Sequence, residues 1–281
     1  MPLSDVSKTA LFILASHVID FKKKKSILND RKAEYSLNKI ISFLSKEDQN
    51  ILLKTKLPAA LESYIVLRAR YYDSYVNEFI ARNKDCIIVN LGCGFDMRYW
   101  RINHESCKYI ELDLPDVIHL KKKALKEILC YKLIGRSVLD FSWINKIKIK
   151  KGKGNERSVL FIAEGLFMYL PKEDIIELFK KISENFSGSK IIFETVHEKY
   201  THGIWKKIAS IKMKKTLGFD AGSSYNFGIK NASEIESYAK GVKVTNEWSY
   251  FEDKDIRPKI LKYFGSFKMF SRTQWTIEAD L

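Results

Sequence analysis

Apolar residues recur at three- and four-residue spacing in Ala10–Phe21, Ile40–Leu53 and Tyr64–Ile80, the pattern of helices that each bury one face. Pro58 falls between the second and third of these and separates them. The spacing predicts an all-helical lead-in over residues 1–82. Beyond it the texture changes to short apolar runs separated by helical stretches. The runs are Cys86–Leu91, Lys108–Leu112, Tyr131–Ile134, Val159–Ala163 and Lys190–Val196. Helices are expected near Arg98–Asn103, Val117–Ile128, Ser142–Ile147 and Lys172–Asn185, the last opened by Pro171. Such alternation predicts an α/β fold with a parallel sheet and crossover helices. A helical insert over residues 199–240 follows, and then two strand-like runs, Val242–Tyr250 and Ser266–Ile277, expected to pair antiparallel. The lead-in and the sheet region, residues 83–281, are expected to form one compact domain, with Lys151–Asn155 as a surface loop.

Composition narrows the class. The chain has 281 residues, 46% hydrophobic, with 13 Gly and 5 Pro, which excludes a disordered or collagen-like protein. Its four cysteines form no CxxC pair and have no histidine at ligand spacing, so neither a metal site nor a disulfide framework is expected. A reducing, cytoplasmic setting follows. The most apolar stretch, Ala10–Ile19, is too short to span a bilayer, and its basic cluster Lys22–Lys25 comes after it, the reverse of a signal peptide. No membrane partner is expected. The net charge of +15 raises the question of nucleic acid. The basic clusters are scattered, however, at Lys22–Lys25, Lys121–Lys123, Lys146–Lys153 and Lys206–Lys215, and they read as solvated faces. Arginine, the better phosphate fork, is the minority cation, and aromatics do not interleave with the lysines.

The chemistry is carried by one junction. The run Cys86–Leu91 leads directly into Gly92-Cys93-Gly94, a strand followed by a glycine turn where a backbone can approach a ligand closely. The next strand ends in Glu111-Leu112-Asp113, which places an acid where a ribose diol is held. Dinucleotides and S-adenosylmethionine are both bound this way. Met97 stands where a dinucleotide loop carries its third glycine, which argues against nicotinamide chemistry.

Four blocks, in order, resemble the leucine carboxyl methyltransferase family, which includes a protein-phosphatase carboxyl methyltransferase and the tetracenomycin-type polyketide O-methyltransferases. They are Leu67–Asp73, Asn90–Arg101, Tyr109–Pro115 and Phe161–Leu170. The resemblance implies a class I S-adenosylmethionine-dependent methyltransferase fold, Rossmann-like, with a seven-stranded, mostly parallel sheet whose last pair is antiparallel. By position it implies that Arg70, or alternatively Arg68, binds the methionine carboxylate. Gly92 and Gly94 pass under the cofactor with Asp96 beside them. Asp113 holds the ribose next to Leu114, Ser137 and Val138 flank the adenine, and Glu164 and Gly165 line the cleft. His197 and Tyr169 are the candidate catalytic groups.

Structural alternatives stand beside these. Arg70 could pair with Asp73 at helical spacing, and Glu164 could cap the loop after its strand. Cys93 reads as a space filler, while Glu111 and Asp140 read as solvated or local acceptors. Trp205, Phe219, Tyr225 and Phe227 of the insert could wall an aromatic acceptor or belong to the core. The function read from the sequence is O-methylation of a small-molecule hydroxyl or carboxyl by a monomer or homodimer. A protein C-terminus, a nucleic acid, and a non-catalytic cofactor-binding module are the alternatives.

Overall fold

The computed structural model describes residues 4–147, 157–217, 225–265 and 271–281. Four helices come first: α1 (Asp5–Phe21), α2 (Ala33–Ile41), α3 (Lys46–Lys54) and α4 (Ala59–Arg82). Ser4 caps α1 by accepting the Ser7 N–H, and Ser45 caps α3 in the same way from Asp48. Pro58 ends the extended segment before α4. Lys151–Asn155 lies outside the described residues, as do Phe219 and the first five residues of the run predicted from Ser266.

Seven strands follow: β1 (Cys86–Leu91), β2 (Cys107–Asp113), β3 (Lys132–Gly135), β4 (Val159–Ala163), β5 (Lys190–Val196), β6 (Lys243–Trp248) and β7 (Gln274–Asp280). Between them lie α5 (Pro115–Leu125), α6 (Ser142–Ile147), α7 (Lys172–Asn185), α8 (Gly203–Leu217) and α9 (Leu261–Phe264). The sheet order is β3-β2-β1-β4-β5-β7-β6. The first five strands are parallel; β7 runs against β5 and against β6, so the last two strands form the expected antiparallel pair. Every residue of β1 and of β4 is buried, which is why these strands are apolar on both faces.

The chain leaves β1 toward β2 on one side and returns at β4 on the other, which opens a crevice beyond their carboxyl ends. One apolar layer, with Trp143, Phe179 and Phe193, covers one face of the sheet. A second, with Tyr72, Phe79 and Ile80 of α4, covers the other. A third lies over the crevice, where Leu11, Leu14 and Val18 of α1 meet Phe95, Met97 and Leu125.

Three readings are corrected here. The helix expected over Arg98–Asn103 is a single 3-10 turn, Arg98–Trp100. Met97 is fully buried in the third apolar layer, so this turn needs no third glycine to pack. Lys121, read as part of a solvated cluster, and Glu111, read as a solvated or local acceptor, are both fully buried and paired at 2.7 Å. Among the described residues no helix is long and apolar enough to cross a membrane.

Candidate active site

Gly92 and Gly94 take φ of +63° and +50°, conformations that side chains resist, and turn the chain sharply as it leaves β1. The turn is fastened to the next strand: Asp113 Oδ2 accepts the Gly94 N–H at 2.6 Å, and its Oδ1 accepts the Leu114 N–H at 2.7 Å. Burial raises the Asp113 carboxyl above its ordinary value, and those two backbone donors oppose the shift. From above, α1 presses on the turn. A Cβ placed on Gly94 would stand 2.7 Å from the Ala10 Cβ.

The space enclosed by this turn, α1 and the end of β4 is a cavity of about 190 Å³. Arg68, Gly92, Gly94, Asp96, Asp113, Leu114, Ser137, Val138, Glu164, Gly165 and Tyr169 all line it. Arg70 and His197 do not. Arg70 points to the other side of α4, where its Nη1 and Nη2 lie 2.7 Å from Asp255 and Asp253. His197 sits beyond β5 and accepts the Lys199 N–H at 3.2 Å through Nδ1, as the cap of a 3-10 turn. Burial, with Lys199 beside it, lowers its pKa.

Around the cavity the charges form one buried lattice. Glu164 receives Arg68 Nε at 2.7 Å and Arg98 Nη2 at 2.5 Å, so it is an ion-pair hub rather than a loop cap. Asp73, instead of pairing with Arg70, receives Arg98 and Arg101. Asp96 is held by the same two arginines at 2.8 and 2.9 Å. Burial alone would raise Asp96 and Glu164, yet the guanidiniums outweigh it and hold both carboxyls below their usual range. Beneath the turn, Lys121 Nζ donates to the Asp96 carbonyl at 2.8 Å while pairing with Glu111. Burial pushes Glu111 up to about 7 against the pull of Lys121.

Some polar atoms of the lining are left over, Arg136 Nε among them. Arg68 Nη2 and His17 Nε2 are buried without a hydrogen-bond partner among the described residues, and both side chains line the cavity. His17 Nδ1 is tied to Asp30 at 3.1 Å. A cavity with an acid at the β2 end and an unfilled guanidinium donor at the β4 end suits a ligand with a ribose diol at one end and a carboxylate at the other. S-adenosylmethionine has that shape, and the residues present fit it.

Residues 10–183 match the family model of leucine carboxyl methyltransferase. The chain belongs to the leucine carboxyl methyltransferase family. It is 27% identical over 269 residues to the tetracenomycin polyketide synthesis O-methyltransferase TcmP of Streptomyces glaucescens, covering 94% of this chain and 91% of that one. To the S-adenosyl-L-methionine-dependent methyltransferase dpfgK of Gibberella zeae it is 25% identical over 252 residues, 86% and 81% of the two chains. In fold it is similar to a crystal structure from Thermobifida fusca YX, assigned as a methyltransferase, with TM-score 0.56 at 10% identity over 88% of this chain and 93% of that one. A duf574 family protein from Streptomyces avermitilis gives TM-score 0.54 at 10% identity over 95% and 96%. This member of the leucine carboxyl methyltransferase family is therefore an S-adenosylmethionine-dependent methyltransferase of the class I fold.

Two site residues lay outside the sequence reading. His17 follows Ala10 and Ile13 on the cavity face of α1, and a titratable residue continuing an apolar i, i+3, i+7 spacing was the available signal. Glu194 interrupts the apolar run of β5 and is fully buried.

Proposed function

We propose that the enzyme transfers a methyl group to an oxygen, a hydroxyl or a carboxyl, of a small and largely apolar acceptor. One observation carries this reading: a second cavity of about 100 Å³ adjoins the first and shares Thr9, Ile13, Arg68, Gly165 and Tyr169 with it. Its remaining wall is mostly apolar, with Phe12, Leu61, Met168 and Leu217 among its residues. Tyr225 also lines this cavity, while Phe227 belongs to the sheet core and Trp205 is exposed. A small, largely apolar pocket suits a small molecule better than a nucleic acid strand.

Bound S-adenosylmethionine supplies a methyl group on a sulfonium, an electrophile that requires no covalent intermediate with the protein. What the chain has to supply is placement. On this reading Arg68 Nη2 and Asp113 hold the two ends of the cofactor, and Tyr169, at the junction of the cavities, directs the acceptor oxygen. Glu194 stands in the acceptor wall, bonded to Arg68 at 2.7 Å and to Gln274 at 2.8 Å. Burial pushes its carboxyl up to about 8 against the hydrogen bonds from Gln274 and the Gly165 N–H. A hydroxyl acceptor would hand its proton to the ionised form of this group, which gains population as pH rises toward about 8, whereas a carboxylate acceptor needs no base at neutral pH.

The test is methyl transfer from S-adenosylmethionine to a panel of phenols, aliphatic acids, a peptide with a C-terminal leucine, and an oligonucleotide. Mild base hydrolyses a methyl ester and leaves an aryl methyl ether intact, which separates the two oxygen classes. Tyr169→Phe is expected to lower kcat/KM for the acceptor by about tenfold, a hydrogen bond's worth, while cofactor affinity stays within about twofold. Turnover of the peptide or the oligonucleotide alone would overturn the small-molecule reading.

A further inference from the structure

Four of the ten large apolar side chains exposed among the described residues lie within eight positions of α8: Ile204 at 68%, Trp205 at 49%, Ile208 at 46% and Ile211 at 67%. At about 100° per residue, Ile204, Ile208 and Ile211 fall within about 60° of one another on the helix, with Trp205 at the margin. Lys207 and Lys214 flank this band on one side and Lys212 on the other, and Lys215 stands within it. The helix contains five lysines and no acidic residue. None of the five pairs with an acid among the described residues. Just ahead of α8, Lys199 lies over the rings of Tyr200 and Trp205 at 5.1 and 5.5 Å.

We propose that the outer face of α8 docks this enzyme on an anionic lipid surface, lying in the plane of the interface. The helix is held to the protein by its opposite side, through Met213 and Leu217, which join the third apolar layer. Its outer isoleucines are thus left over from folding. An isoleucine band flanked by lysines and edged by a tryptophan has the composition of an interfacial helix: apolar atoms enter the acyl boundary, and the lysine stems reach back to the headgroups. Charge selects among occupants. A second copy of the chain would bring two five-lysine helices together, and a nucleic acid would leave the isoleucines in water. Anionic lipid satisfies both the apolar band and its charge, and the net charge of +15 steers the whole molecule toward it. This inference stands apart from which oxygen is methylated, and its test does not use turnover.

The full chain is sedimented with vesicles of phosphatidylcholine and phosphatidylglycerol at about three to one, and with vesicles of phosphatidylcholine alone. Co-sedimentation with the anionic vesicles is expected, falling as salt rises, with a blue shift of tryptophan emission that Trp205→Phe removes. Ile208→Ser with Ile211→Ser is expected to weaken vesicle binding by tenfold or more. Lys207→Gln with Lys214→Gln, which leaves helix packing alone, is expected to weaken it by about fivefold per lysine. Cofactor titration of both variants keeps the result apart from a folding failure: unchanged affinity shows that the loss is at the lipid surface. Three results overturn the proposal. They are no binding to anionic vesicles, binding to DNA as tight as to vesicles and indifferent to the isoleucine substitutions, and self-association abolished by those substitutions.

Discussion

Arg68 and Arg70 stand two positions apart on one helix, about 200° around its axis, and that rotation decides their chemistry. Arg68 faces the sheet, where two of its nitrogens meet Glu164 and Glu194 and the third has no partner among the described residues. Arg70 faces the chain around Asp253 and Asp255. Arg68→Lys is therefore expected to weaken S-adenosylmethionine binding by about tenfold or more, since a lysine has no planar fork, whereas Arg70→Lys leaves it within about twofold. Calorimetric titration of the two variants checks this; equal losses would mean that the cavity donor is misassigned. Lys121 offers a second comparison. Lys121→Met leaves Glu111 buried without its partner and is expected to cost about 3–5 kcal/mol, and adding Glu111→Gln recovers much of that loss. Denaturant unfolding of the single and double variants reads the difference directly.

At the scale of elements, the central strands were legible because burial on both faces leaves a continuous apolar run, as in Cys86–Leu91 and Val159–Ala163. The glycine turn and Asp113 were legible because they are local in sequence and strand geometry brings them together. What could not be read was the charge lattice. Its partners are 25 residues apart for Asp73 and Arg98, 66 for Arg98 and Glu164, and 96 for Arg68 and Glu164, so no spacing rule announces them. His197 illustrates the converse: a residue just past a strand end looked available, yet the chain turns there and uses its Nδ1 to hold the turn. Lys121 had a signal that composition obscured. It occupies one stripe with Val117, Ile118, Ala124 and Leu125, all buried, so its helical position marked it as inward-facing despite its charge.

For the molecule as a whole, the buried carboxyls set opposing trends in stability. Asp30, Asp96 and Glu164 are held below ordinary values of 3.8 to 4.5, so their contribution is present above that range and is lost as pH falls through the folded values. Glu111 and Glu194, raised to about 7 and about 8, act in reverse. Their contribution is full below about 4.5 and is lost as pH climbs toward 8. Thermal unfolding across pH is expected to show a maximum Tm near pH 5, declining on both sides; a Tm that rises steadily to pH 8 would mean that Glu111 and Glu194 are ionised as folded. The contact between Ala10 and Gly94 has a consequence in time. A helix resting on the glycine turn narrows the cavity mouth, and were it to close over a bound cofactor, release of spent S-adenosylhomocysteine would require α1 to lift away. Rapid-quench measurement should then show a burst of methylated product in the first turnover, followed by a slower steady rate. A progress curve linear from the start would show that α1 does not set the pace, and the enzyme's clock would be the methyl transfer itself.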